Sequence, residues 1–302
     1  MNTPATELQS PGQAPAIILP DPDHVFLARA ERFEALALHH GLGEWLGFLG
    51  RLSRAQHKAL AAAGHDLTPP AADVLARART HRMPPISVAS FERPAVWRDI
   101  LRDIVGDLLE NAPVGARDTL DALLVTSAEE LDKLAGKLLD GEPDRADMAR
   151  LPYVAAAIQV VLTAIASQLD AAGLALMEAH STCPVCGSHP VVSVIRSEGP
   201  TAGLRYVHCT LCNTEWRVPH ATCVTCGDSE KVTLHEIDGD DGIARAESCG
   251  ACDSYTKLIV QGRNVRIDPI ADDLASVALD MLVDDAGFVR SGPNYLLIGA
   301  AE

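Results

Sequence analysis

From about residue 24 to residue 180, apolar side chains recur at intervals of three and four; from residue 181 the interval drops to two. The first period marks amphipathic helices and the second marks half-buried strands. Asp23 is placed to cap a helix over Val25–His40, which Gly41 and Gly43 interrupt. Glu44–Ala63 continues, with Trp45, Leu46, Phe48, Leu49 and Leu52 on one side. Pro69 and Pro70 precede another start, and Pro94 suits the first turn of a helix over Ala95–Glu110. Ser127 with Glu130 makes a capping box ahead of Leu131, Leu134 and Leu138. Asp144 suits a short capped turn, and Pro152 the first turn of the next helix.

That next stretch, Leu151–Leu169, carries no charged side chain and is nearly long enough to span lipid. Its Gln159, Thr163, Ser167 and Asp170 nevertheless fall on one stripe. A polar stripe of this kind fits a helix buried on most of its girth among other helices, so no membrane insertion is expected. Beyond residue 181, Val191–Arg196, Leu204–His208 and Val232–Ile237 read as short strands. A helix over Asp272–Val283 and an extended tail over Ser291–Gly299 close the chain. Asp272, Asp273 and Asp280 read there as a solvated helix edge.

The pattern predicts a multi-domain α plus small β protein. Its parts are a disordered lead-in over 1–22, a helical bundle over 23–180, two tandem rubredoxin- or zinc-ribbon-like metal modules over 181–222 and 223–262, and a C-terminal helix and tail over 263–302. Hydrophobic residues at 47% and charged residues at 22% place it among globular rather than disordered chains. Met1–Pro20 has neither a basic start nor an apolar run, so a secretory signal is not expected and the cysteines are assigned to a reducing cytoplasm.

The formal charge of −16 disfavours a phosphate backbone as partner. Locally, Cys183–Thr222 carries three basic and two acidic side chains, but Cys223–Gly262 carries three basic and eight acidic. Trp216 and Tyr206 are therefore read as the aromatic core of a small ribbon rather than as base-stacking platforms.

The eight cysteines form four C-x-x-C units, at Cys183 and Cys186, Cys209 and Cys212, Cys223 and Cys226, and Cys249 and Cys252. Adding 40 to the first four numbers gives the last four. Gly187 and Gly227, Val192 and Val232, Arg205 and Arg245, and Arg217 and Lys257 keep the same register, so the segment is an internal duplication. A C-x-x-C turn converges two thiolates on one ion at ~2.3 Å, and two turns complete a tetrahedron. Twenty-two residues separate the turns within each unit, close to the spacing of such sites.

The repeat favours sequential sites, one from Cys183, Cys186, Cys209 and Cys212 and one from Cys223, Cys226, Cys249 and Cys252. The ten residues between Cys212 and Cys223 leave a crossed pairing open. Gly187, Asn213, Gly227 and Asp253 follow the second cysteine of each turn, and all four are types that enter the left-handed region readily. His208, His220 and His235 lie nearby, but four thiolates already close each site. A closed site leaves no position for water or substrate, so a structural or one-electron centre is expected and an enzyme is not. Four thiolates suit zinc and rubredoxin-type iron alike, and chemistry alone leans to zinc.

These residues resemble the formate dehydrogenase accessory protein FdhE family. The likeness rests on Cys183-Pro-Val-Cys-Gly187, Gly203-Leu-Arg-Tyr-Val207, Cys209-Thr-Leu-Cys212 with Trp216, and Cys223-Val-Thr-Cys226. It continues through Cys249-Gly-Ala-Cys252 with Tyr255-Thr-Lys257, Ala271-Asp-Asp-Leu-Ala-Ser-Val-Ala-Leu-Asp280 and Pro293-Asn-Tyr-Leu-Leu297. It covers the last 120 residues well; the first 180 agree in length and helical character. The resemblance implies a cytoplasmic factor needed for active formate dehydrogenase, engaging the catalytic subunit around its maturation. It also implies two metal ions on the eight cysteines and shifts their identity toward iron. A rubredoxin-like electron carrier is the alternative, and a nucleic-acid-binding zinc ribbon a third reading that the charge disfavours.

Overall fold

A computed structural model describes residues 14–90 and 92–297. Ahead of the first cysteine the chain forms α1 (Val25–Ala37), α2 (Gly43–Ala63), α3 (Ala72–His81), α4 (Trp97–Leu109), α5 (Val114–Val125), α6 (Ala128–Asp140) and α7 (Leu151–Ala166). α1 and α2 meet across a turn at Gly43, where any Cβ would strike the Ala37 carbonyl. α6 starts as its sequence predicts, with Ser127 Oγ accepting the Glu130 N–H at 3.2 Å, and it stops at Gly141 with φ +72°. Asp23 does not cap α1. Asp21 organises that entry instead, its carboxylate accepting the Asp23 N–H and its carbonyl the Val25 N–H, both at 3.0 Å. α7 lies at the centre, packed on α2, α4 and α6, with every residue but Pro152 buried. Among the described residues no helix is long and apolar enough to cross a membrane.

Residues 1–13 of the expected lead-in lie outside the described residues. Its later part is ordered: Ile17–Ile18 forms β1, with Ile17 opposite Trp216 and Ile18 opposite Glu215. Two β-branched residues at an otherwise open sheet edge gain backbone partners and bury Ile17, which is 5% exposed.

The cysteine-bearing segment supplies β2 (Pro190–Ile195), β3 (Arg205–Cys209), β4 (Glu215–Arg217), β5 (Val232–His235), β6 (Ala244–Cys249) and β7 (Ser254–Val260). Each repeat gives three antiparallel strands, but the expected succession of modules understates their union. The sheet order is β1-β4-β3-β2-β7-β6-β5, so the first strand of unit one joins the last strand of unit two. That seam is parallel, with Val192 opposite Lys257 and Ile195 opposite Val260. Both units read third-second-first across the sheet, so they stack head to tail rather than about a two-fold axis. The pairing satisfies the outer edge of β2 and leaves β5, its counterpart, at the rim.

After β7 the chain forms α8 (Pro269–Ala275), α9 (Val277–Asp285) and β8 (Val289–Arg290), which pairs with β7. The single helix expected over Asp272–Val283 is broken at Ser276, whose hydroxyl donates to the Asp272 and Asp273 carbonyls at 2.8 and 3.1 Å. The reading of Asp272, Asp273 and Asp280 as a solvated edge is overturned: they are 3, 0 and 8% exposed. Each carboxylate is buried because a cation reaches it. Arg32 pairs with Asp272; Lys257 and Arg290 both reach Asp273 and Asp280. Asn294 Nδ2 also donates to Asp273 at 2.8 Å, so the tail is drawn over the sheet rather than extended away from it. Residues 298–299 of that tail lie outside the described residues.

Candidate metal centres

In each repeat a strand-end turn presents two sulfurs, and the fold brings the turns together in sequential pairs. Cys183, Cys186, Cys209 and Cys212 converge as site 1, and Cys223, Cys226, Cys249 and Cys252 as site 2; within each set all sulfurs lie within 4.8 Å of one another. The crossed pairing does not occur. In site 1, Cys183 Sγ stands 3.6 Å from Cys212 Sγ and Cys186 Sγ 3.4 Å from Cys209 Sγ. In site 2 the Cys223–Cys252 and Cys226–Cys249 distances are both 3.7 Å. Disulfides hold sulfur at ~2.05 Å, so these cysteines are unbridged. Four sulfurs at ~2.3 Å from one tetrahedral centre would stand ~3.8 Å apart, so both tetrads fit an ion of zinc or iron size.

The turns close as their sequence predicts. Gly187, Asn213, Gly227 and Asp253 have φ of +77°, +58°, +79° and +52°. The reversal returns the Gly187 and Gly227 N–H groups to the Cys183 and Cys223 carbonyls at 3.0 and 2.9 Å. Sulfur receives backbone donors too: Leu211 and Cys212 N–H point at Cys209 Sγ, and Ala251 N–H at Cys249 Sγ, all at 3.4 Å. Two hydroxyls complete the pattern. Thr214 Oγ1 lies 3.2 Å from Cys212 Sγ, and Ser254 Oγ 3.1 Å from Cys252 Sγ. Thr214 and Ser254 are 40 residues apart, so the repeat alignment contained this signal although cysteine spacing did not. The backbone N–H donors offset thiolate charge without occupying a ligand position.

The surroundings of the two sites differ. All four sulfurs of site 1 belong to residues 0% exposed, and they are continuous with the main apolar core. Burial pushes the Cys183 and Cys186 thiols well above their ordinary range. It works the same way on Cys212, but hydrogen bonds from the other three cysteines and Thr214 outweigh it and hold that thiol well below. At site 2 only Cys223 and Cys249 are buried; Cys252 is half-buried and Cys226 exposed. Backbone N–H groups of the turn and Ser254 overcome partial burial at Cys223 and bring it down to about 7.

The cover of site 1 comes from the helical segment. Ile86 and Val88 N–H donate to the Val185 and Cys186 carbonyls at 3.1 and 2.9 Å, and Pro84 lies against Gly187 so closely that a Cβ there would sit 3.3 Å from its ring. On the other turn, Gln159 Nε2 donates to the Thr210 carbonyl at 2.8 Å, and Thr163 Oγ1 accepts from Asn213 Nδ2 at 2.8 Å. The polar stripe of α7 thus grips the Cys209–Cys212 turn. Arg29, 0% exposed, reaches Asn213 Oδ1 at 2.7 Å and Asp268 at 3.2 Å, tying α1, this turn and α8 together. Long-range contacts of this kind leave no mark in local sequence.

The histidines stay outside both tetrads. His208 bridges Asn213 Oδ1 at 3.1 Å and Glu215 at 3.2 Å; His220 bonds the Gly203 carbonyl and His235 the Ser248 hydroxyl. Burial alone would raise the Glu215 carboxyl, but His208 and Arg196 hold it down at about 2. Trp216 Nε1 donates to the His180 carbonyl and Tyr206 Oη to that of Pro15, which fixes both as packing residues.

Sequence profiles of the FdhE N-terminal domain, central domain and C-terminal domain match residues 14–178, 182–220 and 221–297. The chain belongs to the FdhE family. The FdhE homolog of Edwardsiella ictaluri (strain 93-146) is 36% identical over 287 residues, covering 95% of this chain and 92% of that protein. The FdhE homolog of Haemophilus influenzae (strain PittEE) is 33% identical over 291 residues, covering 96% and 94%. The crystal structure of the FdhE protein from Pseudomonas aeruginosa superimposes with a TM-score of 0.82 at 30% identity, covering 94% of this chain and 99% of that one. The FdhE likeness therefore extends through the helical segment, where the sequence motifs were weakest.

Proposed function

We propose that this FdhE-family chain is a cytoplasmic accessory factor for formate dehydrogenase that holds one ion in each cysteine tetrad and engages the catalytic subunit during its maturation. The observation that carries the reading is family membership over nearly the whole chain together with two intact tetrads of tetrahedral dimensions. Cys183, Cys186, Cys209 and Cys212 would hold one ion and Cys223, Cys226, Cys249 and Cys252 the other; family resemblance favours iron over zinc. When bound, an ion in a four-thiolate site supplies a rigid crosslink and, if it is iron, a one-electron couple. The chain's own residues set the geometry: Gly187, Asn213, Gly227 and Asp253 turn the backbone, and Thr214 and Ser254 lie against sulfur. Four protein ligands leave no position for substrate, in keeping with a factor that performs no turnover.

The test is elemental analysis of protein purified without air, combined with capture on the tagged chain. Two equivalents of iron and recovery of the formate dehydrogenase catalytic subunit are expected. Full cellular formate dehydrogenase activity with Cys183→Ser and Cys223→Ser in place would overturn the assignment. The alternative, a rubredoxin-like one-electron carrier, draws on the exposure of Cys226, which opens one ion to a short electron path. Its mark is a red thiolate-to-ferric absorption that bleaches on reduction.

A further inference from the structure

The repeat allows position-by-position comparison of the two tetrads, and among the described residues the contacts that cover site 1 have no counterpart at site 2. Gly187 lies under Pro84, whereas a Cβ at Gly227 would meet nothing within 4 Å. Ile86 and Val88 bond the carbonyls of Val185 and Cys186; among the described residues the equivalent Thr225 and Cys226 carbonyls accept no such bond, Thr225 reaches Ser291 through its hydroxyl at 2.8 Å, and Cys226 is exposed. Asn213 is held by Arg29, Thr163 and His208, whereas its counterpart Asp253 is exposed and ties down only the Val289 N–H, through its carbonyl at 2.8 Å. Site 1 sulfurs sit in the main core, and those of site 2 belong to neither apolar cluster.

We infer that site 2 is an ion-exchange centre, loading and releasing its ion through the open Cys226 side, while site 1 keeps its ion as a fixed crosslink of the fold. The inference deepens the reading above, since it requires that the tetrads hold ions. A competing donor, such as a thiolate or nitrogen of a chelator or a partner, approaches site 2 from solvent without any element moving aside. It would displace the Cys226 thiolate from an ion held there, and the proton that the incoming donor gives up on binding would pass to that thiolate, with no electron moved. The same attack at site 1 first requires the Pro84–Val88 segment or α7 to separate from its turn, a local opening of the fold. The 40-residue duplication thus yields two chemically alike tetrads with separate duties.

The experiment uses the full chain loaded with two equivalents of zinc and challenged with excess 4-(2-pyridylazo)resorcinol, a coloured chelator. Release in two phases of equal amplitude is expected, the fast one about tenfold or more quicker, because only the slow ion waits on local unfolding. Iodoacetamide added at the end of the fast phase, followed by peptide mass spectrometry, should mark Cys226 and Cys252 and spare Cys183, Cys186, Cys209 and Cys212. Cys226→Ser should abolish the fast phase and retain the slow one; the labelling of the unsubstituted chain decides the matter if that variant does not fold. Release of both ions in one phase, or early labelling at site 1, overturns the inference while leaving the two-ion reading intact. A chain that takes up neither zinc nor ferrous iron overturns both.

Discussion

The two units of the duplication begin from the same cysteine spacing and end in different environments. Unit one is wedged between the helical segment and unit two, so its tetrad lies in the main core and its turns are pinned by Arg29, Gln159, Thr163 and the segment around Ile86. Unit two leans on unit one through β7 and on α8 and α9, leaving β5 and the Cys226 turn at the surface. Equivalent positions confirm the contrast. Arg205 is 1% exposed, bonded to Ser193 and to the Pro219 and Thr222 carbonyls and paired with Glu247, whereas Arg245 meets Glu236 at a partly exposed site. Lys257 is 1% exposed, whereas its counterpart Arg217 is exposed. Identical local chemistry therefore acquires its role from what packs upon it.

The sharpest way to break this comparison is to remove one ligand from each tetrad. Cys209→Ser should cost most of the ~5–15 kcal/mol that holds a domain together, since ion binding and core packing fail at once. Cys226→Ser should leave a soluble chain that unfolds cooperatively in urea. Equal losses in the two would refute a structural division between the sites.

The charges beneath unit two give the next effect. Lys257→Met strands Asp273 and Asp280 with only Arg290 for compensation and should lower stability by ~3–5 kcal/mol. Arg217→Met, at the equivalent exposed position, should change it by less than ~0.5 kcal/mol. Urea midpoints measure both.

Glu215 supplies a pH test for unit one alone, because Tyr255 occupies the equivalent position in unit two. Its folded pKa is depressed from 4.5 to about 2, so its contribution is complete above 4.5 and is lost as pH falls toward 2. The shift corresponds to about 3 kcal/mol. The stability difference between the natural chain and Glu215→Gln should shrink across that window; a constant difference would show that His208 and Arg196 do not hold the carboxylate.

Smaller effects should follow from loosening the cover of site 1. Gln159→Ala and Thr163→Val each leave a buried partner unsatisfied and should cost ~1–3 kcal/mol, with faster release of the slow ion to the chelator. At the small end, Arg245→Ala should cost no more than ~1 kcal/mol, as expected of a partly exposed pair. A large loss there would mean that the rim of unit two is more tightly built than its exposure suggests.

Much of the site was legible before any coordinates. The 40-residue repeat favoured two sequential tetrads while leaving a crossed pairing open, which the fold decided, and the residue after each second cysteine announced the left-handed turn that closes it. The helices were legible in outline from apolar period, with α6 right down to its Ser127 cap. Less legible were features that local pattern represents poorly. The aspartates of α8 and α9 looked solvated because carboxylates usually are; the cations that bury them come from β7, β8 and α1. Ile17 and Ile18 looked like part of a lead-in because two residues are too few for a period, and β4 gave them an edge to complete.

The sequence by itself determined the four C-x-x-C turns, their left-handed closure and the duplication, because a C-x-x-C turn is specified within a handful of neighbouring residues. Only the tertiary structure decided that the two units share one sheet, that the polar stripe of α7 grips a metal-site turn, and that one tetrad is enclosed while the other meets water. Those outcomes depend on partners up to 240 positions apart, as Arg32 and Asp272 are. Burial and electrostatic pairing act through space, so segments with the same cysteine spacing diverge wherever the rest of the chain covers one and leaves the other bare.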